Sequence, residues 1–395
     1  MPATPTPAAP LSLVRTCPYA PVEEHVRLRE EEPAARVTLP SGMQAWVLTR
    51  HDDIRKMLVD PRFNHNRNHP GIPRTEAGRL GSLPRIPLLT VDPPVHARER
   101  REVTGEFTVK RAAALESRIQ QIVDEHIDAM LAGPRPADLV QALALPVPSL
   151  VICEMLGVPY ADHAFFQSRS AAMLRWSTPQ EERAAVMLEL MAYMHELTAR
   201  KEREPGDDLM SRMVAKTGDL EGMAGLGFLL LIAGHETTSN VISLGAMTLL
   251  ERPETLAVIR EDPTKTPGAV EELLRYYTVA EYAIVRVAEE DVEIAGVTIR
   301  AGEGVLALSN TANRDPAAFE APDEFDIARG ARHHLGFGYG AHQCLGQNLA
   351  RLELRIVFDT LFRRVPGLRL AKPVEDLPFK SDGQVYGLYE LPVAW

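Results

Sequence analysis

The sequence predicts a mainly α-helical protein with a smaller β region, and three stretches carry that expectation. From about Leu220 to Leu250 apolar residues cover nearly every face of a helix-length segment, as in a helix that crosses the middle of a core. Between Val109 and Leu131, Ala112, Leu115, Ile119, Ile122, Ile127 and Met130 recur at helical spacing. By contrast, "ARVTLP" and "MQAWVLT" alternate on either side of "PSG", which reads as a β-hairpin.

The remaining elements follow in order. A helix is expected over Glu181 to Arg200, and Pro253 stops the long apolar helix. In "TPGAVEELLRYY", Thr266 is a candidate N-cap and Pro267 occupies the first helical position. "DVEIAGVTIRAGEGVLALS" alternates around Gly296 and Gly302 and reads as further hairpin material. A last helix follows Cys344 and ends before Pro366. With no long Gly/Ser linker or repeat, residues 1–395 are expected to form a single domain, with 1–15 as a flexible Pro-rich tail.

Composition narrows the function classes. The 395 residues are 45% hydrophobic and 25% charged, so a large core is available. A net charge of -11 without a basic block argues against nucleic acid as a partner. The start "MPATPTPAAP" lacks the basic and apolar regions of a signal peptide, and the longest apolar run, "GLGFLLLIAG", is too short to span a bilayer. The three cysteines lie far apart with no CxxC pair, which suggests neither disulfides nor a zinc knuckle. A soluble, cytoplasmic protein without membrane attachment is expected, most simply a monomer.

One cysteine stands in a special setting. In "FGYGAHQCLG", Phe337 to Gly346, Cys344 precedes a helix, and Gly338, Gly340 and Gly346 strip side chains from the backbone around it. A lone cysteine is ordinarily a small buried hydrophobe. At a helix N-terminus, however, free amide N–H groups and the helix dipole favour the thiolate, and bare glycines admit a flat, bulky body such as a porphyrin. "AGHETT", Ala233 to Thr238, lies within the long apolar helix; by themselves its glycine and hydroxyls fit a helix crossing or kink as well as a reaction site. In "EELLR", Glu272 and Arg275 have the spacing of a solvated surface pair.

Taken in sequence, these stretches resemble the cytochrome P450 family, especially soluble actinobacterial members of specialised metabolism. The pattern Phe-Gly-x-Gly-x-His-x-Cys-x-Gly matches from Phe337 to Gly346, and "EFTVKR" and "VPSLVICEMLGVPYADH" extend the likeness over nearly the whole chain. The resemblance implies a triangular helical prism around a buried heme b (iron protoporphyrin IX). Cys344 would ligate the iron, Phe337 would pack near the sulfur and His342 would face a heme propionate. "AGHETT" then looks like the oxygen-activating segment. Gly234 would leave room for dioxygen beside Thr238, the Thr237 hydroxyl would hydrogen-bond bound oxygen, and Glu236 would relay protons from solvent. "HARER" resembles a His-x-x-x-Arg propionate clamp formed by His96 and Arg100, and Arg286 resembles another propionate ligand. Glu272 and Arg275, with Arg329, would hold the segment that carries the cysteine loop.

The same resemblance implies a monooxygenase that uses O2 to hydroxylate or epoxidise a bulky hydrophobic natural product, a macrolide, other polyketide or terpenoid. Electrons would come from NAD(P)H through a ferredoxin reductase and a ferredoxin. Between Ile327 and Arg364, Arg329, Arg332, Arg351, Arg355, Arg363 and Arg364 outnumber Glu353 and Asp359, a local balance of +4 that could dock an acidic ferredoxin. Glu281, Tyr282, Ile284 and Val285 would line the distal cavity. The irregular segment Phe63 to Thr90, with Arg67, Arg74, Arg79 and Arg85, resembles the variable lid. Met173, Met187, Met191 and Met194 fall on the lid helices, where packing is their simplest task. A peroxide-driven peroxygenase and a non-catalytic heme sensor or carrier are the alternative readings on this scaffold. A cysteine hydrolase using Cys344 and His342 would need no iron.

Overall fold

The computed structural model describes residues 9–75, 84–381 and 383–395. Its centre is one continuous helix, Leu220–Leu250, at the boundaries its apolar pattern implies. The Asp219 side chain caps it by accepting the Gly222 N–H at 2.8 Å. Helices Pro146–Leu156, Gln180–Arg203 and Gln347–Arg364 pack around it. Gly245 makes the last of these contacts possible, because a Cβ there would lie 2.5 Å from Phe358 Cζ and 2.8 Å from Leu273 Cδ1. The helix that follows Cys344 thus lies directly against the central helix.

Among the described residues the β region comprises a six-stranded, a three-stranded and a two-stranded sheet. Strands Ala34–Thr38 and Gln44–Leu48 form the expected antiparallel hairpin, pairing Ala34 with Leu48 and Thr38 with Gln44. Gly304–Ala307 joins this hairpin in parallel and pairs on its other side with Val285–Ala288, so Arg286 sits opposite Val305. Val292–Ile294 and Val297–Ile299 make a separate hairpin whose turn residues, Ala295 and Gly296, have φ of 51° and 81°. The stretch read as one run of hairpin material therefore divides between two sheets.

Three local expectations are corrected. The helical pattern from Val109 breaks at Leu115 into Val109–Ala114 and Glu116–Ala132. Thr266 begins its helix but does not cap it; a preceding 3-10 turn carries the chain in, and the Thr266 hydroxyl donates to Asp359 Oδ1 at 2.5 Å. The tail was expected to be flexible through residue 15, and residues 1–8 of it lie outside the described residues. Ala9–Pro10 instead pairs in parallel with Val37 and Thr38, Leu11 and Leu13 are buried, and Arg15 reaches Glu281 Oε2 at 3.1 Å and the Tyr277 carbonyl at 3.0 Å. Two alternating leucines and one buried ion pair overrule the proline content.

Glu272 and Arg275 lie inside the protein, 1% and 0% exposed, rather than on its surface. Arg275 donates to both oxygens of Glu272 at 2.7 and 2.8 Å and also to the carbonyls of Asn313 and Pro322 at 2.8 Å. Arg329 Nε reaches Glu272 Oε1 at 3.2 Å. This network ties helix Thr266–Tyr277 to the strand-free segment leading toward Cys344. Removing one member of such a pair strands a buried charge, which costs about 3–5 kcal/mol. Arg275→Leu should accordingly lower the thermal unfolding midpoint steeply, whereas a substitution of the exposed Arg363 should leave it nearly unchanged.

Candidate functional site

Cys344 lies between the 3-10 turn Gly340–His342 and the helix Gln347–Arg364, and its N–H donates to the Phe337 carbonyl at 2.8 Å. The loop before it needs left-handed backbone at Gly338 (φ 67°) and Gly340 (φ 74°). Gly340 also abuts helix His51–Val59, where a Cβ would come within 2.7 Å of the Leu58 carbonyl oxygen. Gly346 has ordinary φ of -80°, and open space surrounds its missing side chain. Of the three glycines, two shape the loop and one leaves room beside the sulfur.

The expected lowering of the thiol pKa is not what the surroundings produce. Burial pushes the Cys344 thiol up; the Gly346 N–H, Arg100, Arg351 and the Gln347 N–H oppose it without prevailing. A cation bound at the sulfur would favour the thiolate further. Among the described residues no cluster of His, Cys, Asp and Glu is arranged to hold a metal ion unaided.

A dense group of histidines and arginines lies beside the loop. The His342 ring is 3.8 Å from that of His96 and 4.1 Å from that of His65. Arg286 Nη1 is 2.8 Å from His65 Nδ1, Arg100 donates to the Gln343 carbonyl at 2.5 Å, and Arg67 donates to the Ala283 carbonyl at 2.7 Å. Asp92 is occupied by the N–H groups of His65 and Asn66, each at 2.9 Å, and is 3.9 Å from His342 Nε2. Burial and the neighbouring His96, Arg286, Arg100 and Arg67 push His342 down to about 2. Burial alone takes Arg67 to about 10, and burial with Arg67 does the same to Arg286. His96 Nδ1 and Arg67 Nε are buried without a hydrogen-bond partner. A donor set so crowded with positive charge and unpaired N–H groups fits a ligand bearing two carboxylates.

On the central helix, Ala233 is exposed and Leu229, Ile232, Gly234 and Thr237 are half-buried, although His235, Glu236 and Thr238 beside them are buried. One stripe of the helix, around Ala233 and Thr237, is thus less enclosed, but a Cβ at Gly234 would lie 3.1 Å from Ile152 Cδ1, so this glycine admits the neighbouring helix Pro146–Leu156 rather than leaving the expected room for dioxygen. The Thr237 hydroxyl donates to the Ala233 carbonyl at 3.0 Å and the Thr238 hydroxyl to Gly234 at 3.4 Å, and the helix continues unbroken. Glu236 does not face this stripe freely; Lys380 Nζ lies 2.5 Å from its Oε1.

The distal-cavity residues are corrected. Glu281 is held through both oxygens by Arg15, the Tyr282 hydroxyl donates to the Leu13 carbonyl at 3.1 Å, and Val285 is buried within the sheet, leaving Ile284 half-buried. The basic stretch is corrected too. Arg351 turns inward, donating to Glu271 at 2.5 Å and 3.1 Å and lying 4.6 Å over the Phe337 ring. Arg329 serves Glu272, Arg355 pairs with Glu116 at 2.6 Å, and Arg364 pairs with Asp124 at 2.8 Å and with Asp128. A local charge sum misses partners contributed by other segments. In the lid stretch, Arg85 pairs with Glu99 and Arg79 lies outside the described residues. Met194 is buried, and Met173, Met187 and Met191 pack against the core. Sequence reasoning missed His65 and Asp92 altogether. The signal available was "FNHNR", whose histidine lies two residues from an arginine in a stretch taken for a lid.

A glycine-shaped cysteine loop, a pocket suited to two carboxylates and an open stripe on a core helix are the architecture of a heme-thiolate monooxygenase. The chain belongs to the cytochrome P450 family. The cytochrome P450 family model matches residues 181–366. The chain is 49% identical to pentalenic acid synthase of Streptomyces avermitilis, covering 96% of each. The crystal structure of cytochrome P450 MoxA from Nonomuraea recticatena superposes with a TM-score of 0.90 at 55% identity, over 98% of each chain. The mycinamicin VIII C21 methyl hydroxylase MycCI of Micromonospora griseorubida gives 0.93 at 38% identity, over 98% of this chain and 100% of that one. Among the described residues no helix is long and apolar enough to cross a membrane.

Because Gly340 combines left-handed backbone with a close approach to Leu58, Gly340→Ala should cost about 1–3 kcal/mol and displace the loop. The expected result is a lower thermal midpoint together with a reduced ratio of heme absorbance to protein.

Proposed function

We propose that the protein binds heme b through Cys344 and oxygenates a bulky hydrophobic natural product, by hydroxylation or epoxidation, with O2 and electrons passed from NAD(P)H through a ferredoxin reductase and a ferredoxin. The observation that carries this reading is the cationic pocket beside the cysteine loop. His65, His96, Arg100, Arg286 and His342 converge where the two propionates of a heme would need partners. Bound heme supplies an iron at which dioxygen can be reduced and cleaved.

The chain's own groups then have separable tasks. Phe337 and Arg351 brace the loop on the sulfur side. The open stripe around Ala233 and Thr237 leaves space for dioxygen and substrate, and the Thr237 hydroxyl stands there as a proton-passing group. Glu236 is the carboxylate nearest to Thr237 along the helix and supplies the next proton. The substrate class is supported by relatives named for pentalenic acid and for the C21 methyl of mycinamicin VIII. A terpenoid or macrolide is therefore our first choice.

The electron donor would dock on the sulfur side, but not through the arginines that are paired internally. Val109 is 70% exposed and Lys110 is exposed on the short helix that packs against the cysteine helix, and Arg332 is exposed before the loop. Lys110→Glu should slow reduction by an acidic ferredoxin, with the deficit shrinking as salt is added. Equal rates at low salt would remove this docking surface.

Titrating purified holoprotein with terpenoid and macrolide candidates should shift the heme spin state for a true substrate. Turnover of that compound in isotopically labelled dioxygen should yield a product carrying one labelled oxygen atom. Binding without product under reducing conditions would contradict the monooxygenase reading of this site.

A further inference from the structure

The carboxylate expected to relay protons is not free to do so unaided. Lys380, 144 residues away in sequence, places Nζ 2.5 Å from Glu236 Oε1 and 3.0 Å from Asn240 Oδ1. Asn240 in turn donates to the Glu236 carbonyl at 2.8 Å and to Glu236 Oε1 at 3.4 Å. The lysine is held over the helix by its backbone. Its N–H donates to the Gly387 carbonyl at 2.8 Å, and at Gly387 a Cβ would fall 1.8 Å from Asn240 Oδ1, so only glycine permits this approach. Lys380 and Glu236 are 14% and 9% exposed, which makes this a largely desolvated pair rather than a surface one.

The groups facing Glu236 define its charge. Lys380 and Asn240 bond to it directly. His235 adjoins it on the same helix, with Nδ1 turned 2.7 Å from the Leu231 carbonyl. The ring of Tyr389 lies 5.6 Å from Lys380 Nζ. Burial would push the Glu236 carboxyl up, but Lys380, His235 and Asn240 together leave it below its ordinary value. Lys380 also lines a cavity of about 90 Å³ with Arg15, Thr16, Glu281 and Ser381. A cavity of that size, lined by charged and hydroxyl groups, admits water to the lysine's side of the pair.

We infer that Lys380 is a positioning residue for oxygenation: its ion pair with Glu236 holds that carboxylate in place, ready to take a proton from solvent and hand it toward Thr237. In this step Glu236 takes a proton from solvent hydronium, leaving water, and becomes the neutral acid; the acid then breaks its O–H bond to pass a proton to the hydroxyl chain and returns to the anion, so no hydroxide is left and no electrons move. This inference rests on the monooxygenase reading for its functional consequence, while the state of the pair is independent of it.

The sign of the pH effect follows from the burial. With Lys380 present, Glu236 ionises below the ordinary carboxylate range and stays anionic throughout the neutral region. Without it, the burial that remains favours the neutral acid, so the carboxyl keeps its proton to a higher pH than in the native protein. Lys380→Met should therefore release about tenfold more peroxide per NAD(P)H consumed, less than the loss expected for removing a general acid outright. Coupling should recover as pH rises. Lys380→Arg, which keeps the charge, should couple like the native protein at every pH.

The resting protein gives a second readout. A protonated-carboxyl infrared band should be absent from the native protein and from Lys380→Arg at neutral pH, present in Lys380→Met, and absent again when Glu236→Gln is added. Lys380→Gln, which retains hydrogen-bonding capacity without charge, should behave as Lys380→Met and replaces it if the methionine variant does not fold. Absence of the band from both neutral variants, or peroxide release equal to that of the native protein with an intact heme spectrum, would overturn the inference. The infrared arm needs no turnover, so it reads the pair even if the oxygenase assignment fails.

Discussion

A buried thiol at the head of a helix is driven toward its neutral form by its own surroundings, and the layout around Cys344 is organised against that tendency. The N–H groups of Gly346 and Gln347 and the guanidinium groups of Arg100 and Arg351 all bring positive potential to the sulfur. A cation held at the sulfur would add to the same potential. Much of the surrounding fold can be understood as holding this loop still. Gly340 is pressed on Leu58, Arg351 is clamped by Glu271 and laid over Phe337, and Gly245 allows the cysteine helix to lie against the central one.

Several buried charges elsewhere are satisfied by a partner. Glu272 has Arg275 and Arg329, Glu281 has Arg15, and Glu236 has Lys380. Glu353 is not: its Oε2 is buried without a hydrogen-bond partner, and burial pushes that carboxyl up to about 8. In the cluster around His342, the positive charge of Arg67, Arg100 and Arg286 gathers beside neutral histidines, and buried N–H groups lack acceptors. Such an imbalance is costly in a protein standing alone and is resolved by an anionic ligand. The cluster and the sulfur therefore point to one bound group with a metal at its centre and carboxylates at its edge.

What could be read from sequence was what the chain encodes within a few residues. The hairpin around Gly42, the helix from Leu220 to Leu250 and the cysteine loop each carry their instructions locally, in alternation, apolar spacing or positive-φ glycines. Pairings between distant segments were not legible. Nothing in "AGHETT" announces Lys380, nothing in "EYAIVR" announces Arg15, and the arginines near Cys344 looked like a free basic patch because their partners Glu116, Asp124 and Glu271 lie elsewhere in the chain. The tail was misjudged for the same reason, since Leu11 and Leu13 become core only once the sheet edge exists to receive them.

The bond between the sulfur of residue 344 and iron bears most directly on this account. The reduced carbonyl adduct of the native holoprotein should show the long-wavelength Soret band of a thiolate ligand, and Cys344→Ser holoprotein should show that band shifted to shorter wavelength with oxygenation lost. A serine variant that retained both the native band and full activity would contradict it.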